Sequence, residues 1–152
     1  MPDDNKFTLR CRTVAADRFR TLNYVRDLPP QAVEEPSGVP GRDRAPSPSE
    51  ALLAALGSDL ALGIHARALA RDIIVHRLEL ELEGDAYSAG AAGTPGAAPR
   101  VIGFDLIRIT VLLEANVSQE VLSEVVQHAT LASPVANTLH NPVNFDVALA
   151  GV

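Results

Sequence analysis

The stretch APSPSEALLAALGSDLALGIHARALA, from Ala45 to Ala70, decides the fold because it predicts one long helix that is apolar on almost every side. Ser47 is a typical capping residue, Pro48 suits the first helical position, and Glu50 lies at the capping-box spacing from Ser47. A helix that lacks a broad polar face must be covered by other elements on several sides. We therefore expect it to pack between a sheet and a second subunit.

Asp59 lies in the middle of this apolar helix. A carboxylate in such surroundings is costly unless it is paired, hydrated or protonated. It is therefore the first candidate for a functional residue. Its neighbours on the same helix face are small or apolar: Leu52, Ala55, Leu56, Leu62 and Ala66.

The rest of the chain has the patterns of short strands and a second helix. Residues 73–84 place Leu78, Leu80 and Leu82 on one face and charged residues on the other, which is typical of a half-buried strand. Neighbouring strands joined by a loop pair antiparallel, so the fold class is α+β. We expect strands at 6–15, 19–28, 73–84, 100–114 and 142–150, and a helix at 119–131 that Ser118 caps and that Ser133 ends.

Composition limits the classes of partner. The 152 residues are expected to form one domain, 1–152, with a Pro-rich loop at 27–49 and a Gly/Ala-rich loop at 84–100. A net charge of −6 and an aromatic content of 4% argue against nucleic acid as a partner. Because Asp59, His65 and Arg67 interrupt the apolar run and the start lacks a signal-peptide pattern, we expect a cytoplasmic protein without a membrane partner.

Cysteine and histidine give no metal-binding pattern. Cys11 is the only cysteine, so an intrachain disulfide and a cysteine-based zinc site are excluded. The four histidines show no HxH or HxxxH spacing. We expect no metal and no cofactor.

Two segments resemble the OsmC/Ohr family of thiol-dependent hydroperoxide reductases, which act in stress response. PSPSEALLAALGSDLALGIHARAL resembles the family's central-helix motif, in which a Glu precedes LLAALGSC, and ASPVANTL resembles its second motif, a Cys followed by PV and then TL. The order of strands and helices also fits. The resemblance implies an OsmC-like fold of antiparallel sheets and two main helices, with the long central helix packed at an intertwined homodimer interface.

The resemblance also implies a thiol cycle. In the family, a peroxidatic thiolate on the central helix attacks the peroxide, becomes a sulfenic acid and is captured by a second cysteine as a disulfide. An arginine of the N-terminal hairpin and a glutamate near the helix start hold the thiolate charged. The positions that match this site are Asp59, Ser133, Glu50 and Arg18, with Arg20 and Arg26 as alternatives to Arg18.

The match fails at both cysteines, because a carboxylate and a hydroxyl cannot carry out the thiol cycle. We therefore predict a non-peroxidatic homodimer that binds a polar or cationic small molecule through Asp59, Arg18, Glu50, Ser133 and His128. Three alternatives stay open. They are a hydroperoxide reductase that uses Cys11, a hydrolase built from Ser133, His128 and Asp59, and a structural dimer with a filled site.

Overall fold

The computed structural model describes residues 6–35, 43–87 and 102–151, which contain three helices and two antiparallel sheets. The predicted α+β class is confirmed. The chain divides into two compact units, Met1–Leu52 and Leu53–Val152, and the boundary falls inside the first helix. A single domain over 1–152 stays a prediction.

The first unit contains a three-stranded sheet in the order β1 (Arg12–Ala15), β2 (Arg20–Tyr24) and β3 (Gln31–Glu34). The predicted N-terminal strand pair is confirmed, with shorter bounds, because the β1–β2 ladder begins at the pair of Arg12 and Tyr24. There the guanidinium of Arg12 lies 4.6 Å from the centre of the Tyr24 ring. This cation–π contact covers the end of the ladder.

Strand β3 corrects the prediction that residues 27–49 form one loop. Pro29 and Pro30 indicate a loop, but proline is tolerated just before a strand because it need not donate to the ladder there. Residues 31–34 then pair antiparallel with β2. Residues 36–42 of the predicted loop lie outside the described residues.

A buried carboxylate holds the segment that follows β3. Glu34 is 7% exposed, and it accepts hydrogen bonds from the guanidinium of Arg20 and from the backbone N–H of Arg44, the latter at 2.9 Å. Its own N–H donates to the carbonyl of Pro46 at 3.0 Å. Glu34 therefore ties the chain just before the first helix to the sheet.

Helix α1 (Pro48–Leu69) begins where the capping signal predicts. The Ser47 N–H donates to the Glu50 carboxylate at 2.7 Å, and the Glu50 N–H donates to the Ser47 hydroxyl oxygen at 3.3 Å. This reciprocal pair satisfies two backbone donors that the first turn leaves free. The buried side chains recur every fourth residue along one stripe: Leu56, Leu60, Ile64 and Ala68.

By length and composition alone, α1 could also cross a membrane. The core helix of a soluble protein passes the same test, so one such helix is weak evidence. The polar residues Asp59, His65 and Arg67 therefore do not exclude a span by themselves. The absence of a membrane partner and the cytoplasmic location stay predictions.

The second unit contains a ribbon of two long antiparallel strands, β4 (Val75–Tyr87) and β5 (Gly103–Ala115). Both predicted strands are confirmed, but β4 continues four residues, 84–87, into the predicted loop at 84–100. A Cβ atom at Gly84 would lie 2.2 Å from a ring carbon of Phe104, so this glycine allows a close cross-strand approach and is not part of a turn. Residues 88–100 of that loop lie outside the described residues.

Helix α2 (Gln119–Ala132) completes the core of the second unit. The predicted cap is confirmed, because the hydroxyl oxygen of Ser118 accepts the Val121 N–H at 3.5 Å. A Cβ atom at Gly63 of α1 would lie 3.5 Å from that of Ala129, so the two helices touch through small residues. The buried cluster that joins α1, β5 and α2 is Ile64, Ala68, Ile73, Leu113, Leu122, Val125 and Ala129.

The C-terminal part differs from the prediction in two ways. A short helix, α3 (Pro134–His140), follows Ser133, where the sequence predicts only a helix end and a turn. Residues 142–150 form no ladder with any strand that the structure describes, although their alternation predicts a strand. A strand requires a partner edge, and the apolar side chains Phe145 and Val147 are 88% and 91% exposed.

The clamp at Glu34 predicts a pH dependence of stability. The largest effect on the pKa of Glu34 is the hydrogen bond from the backbone N–H of Arg44, which lowers it. Burial opposes this effect, and the hydrogen bond and charge of the Arg20 guanidinium lower the pKa further, so that it lies below its ordinary value. The charged form therefore stabilises the fold above the ordinary carboxyl pKa of about 4.3, and this contribution is lost as the pH falls through the lower folded-state pKa.

We expect the unfolding free energy of the wild type to fall more steeply than that of Glu34→Gln from about pH 4.5 to pH 3, measured by urea denaturation. Glu35→Gln is the matched control, because the neighbouring Glu35 side chain is exposed. It should keep the wild-type slope. Parallel pH profiles for the wild type and Glu34→Gln would contradict the clamp.

Candidate functional site

Two of the residues selected from the sequence meet in the second unit. Asp59 lies in the middle of α1, and Ser133 lies between α2 and α3, 74 positions later. The Ser133 hydroxyl donates a hydrogen bond to the carboxylate oxygen Oδ2 of Asp59. The backbone N–H of Val135 donates to the same oxygen at 3.2 Å. Asp59 therefore links α1 to the junction of α2 and α3.

Ser133 has two backbone roles besides this bond. Its N–H donates to the carbonyl of Thr130 at 3.3 Å and ends α2, as predicted. Its hydroxyl oxygen accepts the Ala136 N–H at 3.0 Å and caps α3, which the prediction missed. The start of α3 could have been predicted from Ser133 and Pro134, because a Ser cap followed by Pro in the first turn is a typical helix-start pattern.

The Ser133 hydroxyl uses its single proton in these contacts. It donates its one proton to Asp59 and accepts from Ala136, and its residue is 4% exposed. His128 is exposed on α2, and no hydrogen bond joins it to Ser133. The predicted Ser–His–Asp arrangement is therefore not formed, since the Ser133 hydroxyl donates its hydrogen bond directly to the Asp59 carboxylate and not to a histidine.

The Asp59 carboxylate has one engaged oxygen and one free oxygen. Both bonds go to Oδ2, and no residue in the part of the chain that the structure describes donates to Oδ1. Asp59 is partly exposed, so a solute can reach this oxygen. A carboxylate with a free, reachable oxygen can accept a hydrogen bond from a hydroxyl, ammonium or guanidinium group.

An apolar cavity of about 300 Å³ lies between α1, β5 and α2, and its lining from α1 is Leu60 and Ile64. Sequence reasoning missed it, although the alternating Ile107, Ile109 and Val111 of β5 form one wall. Thr130 is its polar lining residue, and its hydroxyl donates to a backbone carbonyl of α2 at 2.9 Å. The cavity therefore suits an apolar group.

Glu50 has a structural role in the capping box of α1. The backbone N–H of Ser47, and then its side chain, lower the pKa of the Glu50 carboxyl. This confirms the capping interpretation. A further role of Glu50 in binding stays a prediction.

The three candidate arginines belong to the first unit and differ in their surroundings. Arg18 lies in the bend between β1 and β2 with an exposed side chain, and Arg20 is bonded to Glu34. Arg26 follows β2 with a φ of 52°, in the left-handed region. Pairing of any of them with Asp59 stays a prediction.

The last candidates are Cys11 and any cluster of side chains that could bind a metal. Cys11 precedes β1 and is exposed, with its Sγ 4.0 Å from the hydroxyl oxygen of Thr13. Among residues 6–35, 43–87 and 102–151, no group of three or more His, Cys, Asp or Glu residues could hold a metal ion.

Comparison with known proteins gives a consistent result. Residues 41–148 match the family described as OsmC-like protein. No curated protein matches the chain. Three of the similar solved structures are an OsmC-like protein of Mycoplasma pneumoniae, an OsmC-like hydroperoxide resistance protein of Jannaschia and an organic hydroperoxide resistance protein, OsmC, of Legionella pneumophila.

The structural likeness extends over most of each chain. The Mycoplasma protein has a TM-score of 0.72 at 16% identity, covering 88% of both chains. The Jannaschia protein has a TM-score of 0.57 at 19% identity, covering 93% of this chain and 91% of its own. The Legionella protein has a TM-score of 0.54 at 17% identity, covering 88% and 89%. At these identities the likeness shows the fold.

The double role of Ser133 predicts an unusually costly substitution. Ser118→Ala removes a helix cap and only a long, exposed contact to Glu120 at 3.5 Å, and should lower the unfolding free energy by about 1 kcal/mol. Ser133→Ala also removes a donor to a partly buried carboxylate, so we expect a loss of about 2–3 kcal/mol. Urea denaturation of both variants measures the difference. Equal losses would show that the bond to Asp59 does not stabilise the fold.

Proposed function

Because this chain belongs to the OsmC-like protein family, we propose that it is a member without the thiol peroxidase site, which acts as a homodimer that binds a small molecule at Asp59. The hydrogen bond between Ser133 and Asp59 carries this proposal. By resemblance these two positions are those of the family's cysteines. Here they hold a proton donor and a carboxylate in contact.

The chemistry of the two side chains supports the loss of peroxidase activity. The thiol cycle requires a sulfur that attacks the peroxide and a second sulfur that closes a disulfide. Neither Asp59 nor Ser133 supplies one, and the only cysteine in the sequence is Cys11. The hydrogen bond from Ser133 stabilises the carboxylate where the family chemistry needs a thiolate.

The free oxygen of Asp59 and the apolar cavity lined by its sequence neighbour Leu60 support the class of ligand. Oδ1 can accept from a cationic or hydroxyl-bearing group. The apolar cavity of about 300 Å³ that Leu60 lines is at the small end of the range for ligand pockets. A primary amine with a short aliphatic portion satisfies both features.

Two other functions remain as competitors. Cys11 is exposed, so a peroxide could reach a thiol at that position and support a reductase of altered arrangement. If instead the region around Asp59 admits no ligand, the chain would be a structural dimer. The test of the proposed function distinguishes all three.

In the first arm of that test, the wild type and Cys11→Ser are assayed for consumption of cumene hydroperoxide with dihydrolipoamide as reductant. We expect no turnover above that of Cys11→Ser, because no thiol occupies position 59 or 133. Turnover that disappears in Cys11→Ser would contradict the proposal and support the reductase.

In the second arm, hexylamine is titrated into the wild type, Asp59→Asn and Asp105→Asn while the melting temperature is followed. We expect hexylamine to raise the melting temperature of the wild type and of Asp105→Asn, because Asp105 is an exposed carboxylate on β5, and not that of Asp59→Asn. No shift in the wild type would favour the structural dimer. An equal shift in Asp59→Asn would place the binding elsewhere.

Exposed apolar residues on α1 support the homodimer. A stripe opposite the buried one includes Ala55, Leu62, Ala66 and Leu69, of which Leu62 is 70% and Leu69 is 79% exposed. A long apolar stripe in contact with water marks an interaction surface. A second copy of α1 matches it in chemistry and length.

We expect light scattering of the wild type to give twice the chain mass of 16.1 kDa. Leu62→Asp should shift the protein to monomer, because it places a charge in the proposed interface. Leu131→Asp is the matched control on α2, since Leu131 is 69% exposed and lies outside the stripe. A monomeric wild type would refute the homodimer.

A further inference from the structure

Positive charge is concentrated in the N-terminal hairpin. The chain has a net charge of −6, yet residues 6–26 contain six of its thirteen Lys and Arg residues and only one acidic residue, Asp17. This segment therefore carries a formal charge of +5. A local charge opposite in sign to that of the whole molecule attracts anions to one place.

The ladder between β1 and β2 opens at its basic end. Its last pair is Arg12 with Tyr24, and the same register continued by two residues would set Arg10 directly opposite Arg26. Like charges in directly opposite positions are destabilising. Instead the pairing stops, and Arg26 takes a φ of 52°, which is uncommon for a long side chain.

A cavity of about 620 Å³ lies at this opening. Its volume is in the range of small-molecule sites. Leu9, Val25 and Cys11 supply apolar wall, and Thr8 supplies a hydroxyl. Arg10, which precedes β1, and Arg26, which follows β2, both line it.

Unlike Arg12 and Arg20, these two arginines have neither an aromatic ring nor a carboxylate as a partner among the described residues. Arg12 stacks on Tyr24, and Arg20 is bonded to Glu34. Within the described residues, no carboxylate pairs with Arg10 or Arg26. Two arginines without a carboxylate partner therefore line one cavity.

We propose that the open end of the β1–β2 hairpin binds an organic oxyanion, a carboxylate or phosphate on a short apolar body, between Arg10 and Arg26. The planar fork of each guanidinium matches such an oxyanion with two parallel hydrogen bonds. The bound anion relieves the repulsion between the arginines, and its apolar body contacts Leu9 and Val25. This site does not depend on the function proposed for Asp59.

The test is calorimetric titration of the full chain with hexanoate, hexyl phosphate and inorganic phosphate. We expect at least one hexyl anion to bind at least about tenfold more tightly than inorganic phosphate, because burial of the alkyl chain adds to the ionic contacts. Hexanoate and hexyl phosphate together show which oxyanion the site prefers. Failure of both to bind, or equal affinity for inorganic phosphate, would overturn the proposal.

Variants locate the site. Arg10→Gln and Arg26→Gly should each weaken the binding of the preferred hexyl anion about tenfold, the loss of one charge-assisted contact. Glycine suits the left-handed backbone at position 26, so Arg26→Gly should not lower the melting temperature. Arg12→Gln removes the same charge from the hairpin outside the cavity and should change the affinity less than about twofold. Equal losses in Arg12→Gln and Arg10→Gln would show a diffuse basic field in place of a site.

Discussion

The close packing of α1 against β4 and α2 is the constraint on which the second unit depends. Glycines of α1 lie at both contacts, and a Cβ would crowd its neighbour at Gly57 but make an ordinary van der Waals contact at Gly63. A Cβ atom at Gly57 would lie 2.9 Å from a methyl carbon of Leu82, and Gly63 meets Ala129. Gly57 precedes Asp59 in the sequence and Gly63 follows it. Helix α1 therefore contacts β4 on one side of the carboxylate along the chain and α2 on the other. The bond to Ser133 follows from that approach.

In the function proposed above, this bond takes the place of the disulfide of the family's thiol cycle. A disulfide would join the two segments covalently and exchange electrons, whereas a hydroxyl donating to a carboxylate joins them through a charge-assisted hydrogen bond and exchanges none. Because the bond also belongs to the cap of α3, stability and the proposed binding role depend on the same hydroxyl. An enzyme that opened and closed this contact in each cycle would have to break the helix cap as well.

In the first unit, the surroundings of each arginine determine what it can do. Glu34 forms an ion pair with Arg20, and it also accepts the backbone N–H of Arg44, which holds the chain just before α1. Tyr24 covers Arg12. Arg10 and Arg26 remain at the open end of the hairpin, where pairing of the strands would bring like charges together. In this short basic segment, Arg20 thus has a structural role, Arg12 stacks on a ring, and Arg10 and Arg26 are available to a ligand.

The sequence by itself determined the features that depend on residues a few positions apart. They include the capping box of α1, the serine cap of α2, the alternation of β4 and β5 and the α+β class, because hydrogen-bonding signals and side-chain periodicity act locally. It also selected Asp59 and Ser133, since a carboxylate in an apolar helix and a family motif are both visible in one dimension. Only the tertiary structure decided that Asp59 and Ser133 form a hydrogen bond and that Gly84 allows the close approach of Phe104. It also decided that residues 31–34 pair with β2, whereas residues 142–150 pair with no described strand. Each of these depends on which distant backbone or side chain lies opposite, and a strand or a buried charge is complete only when that partner is in place.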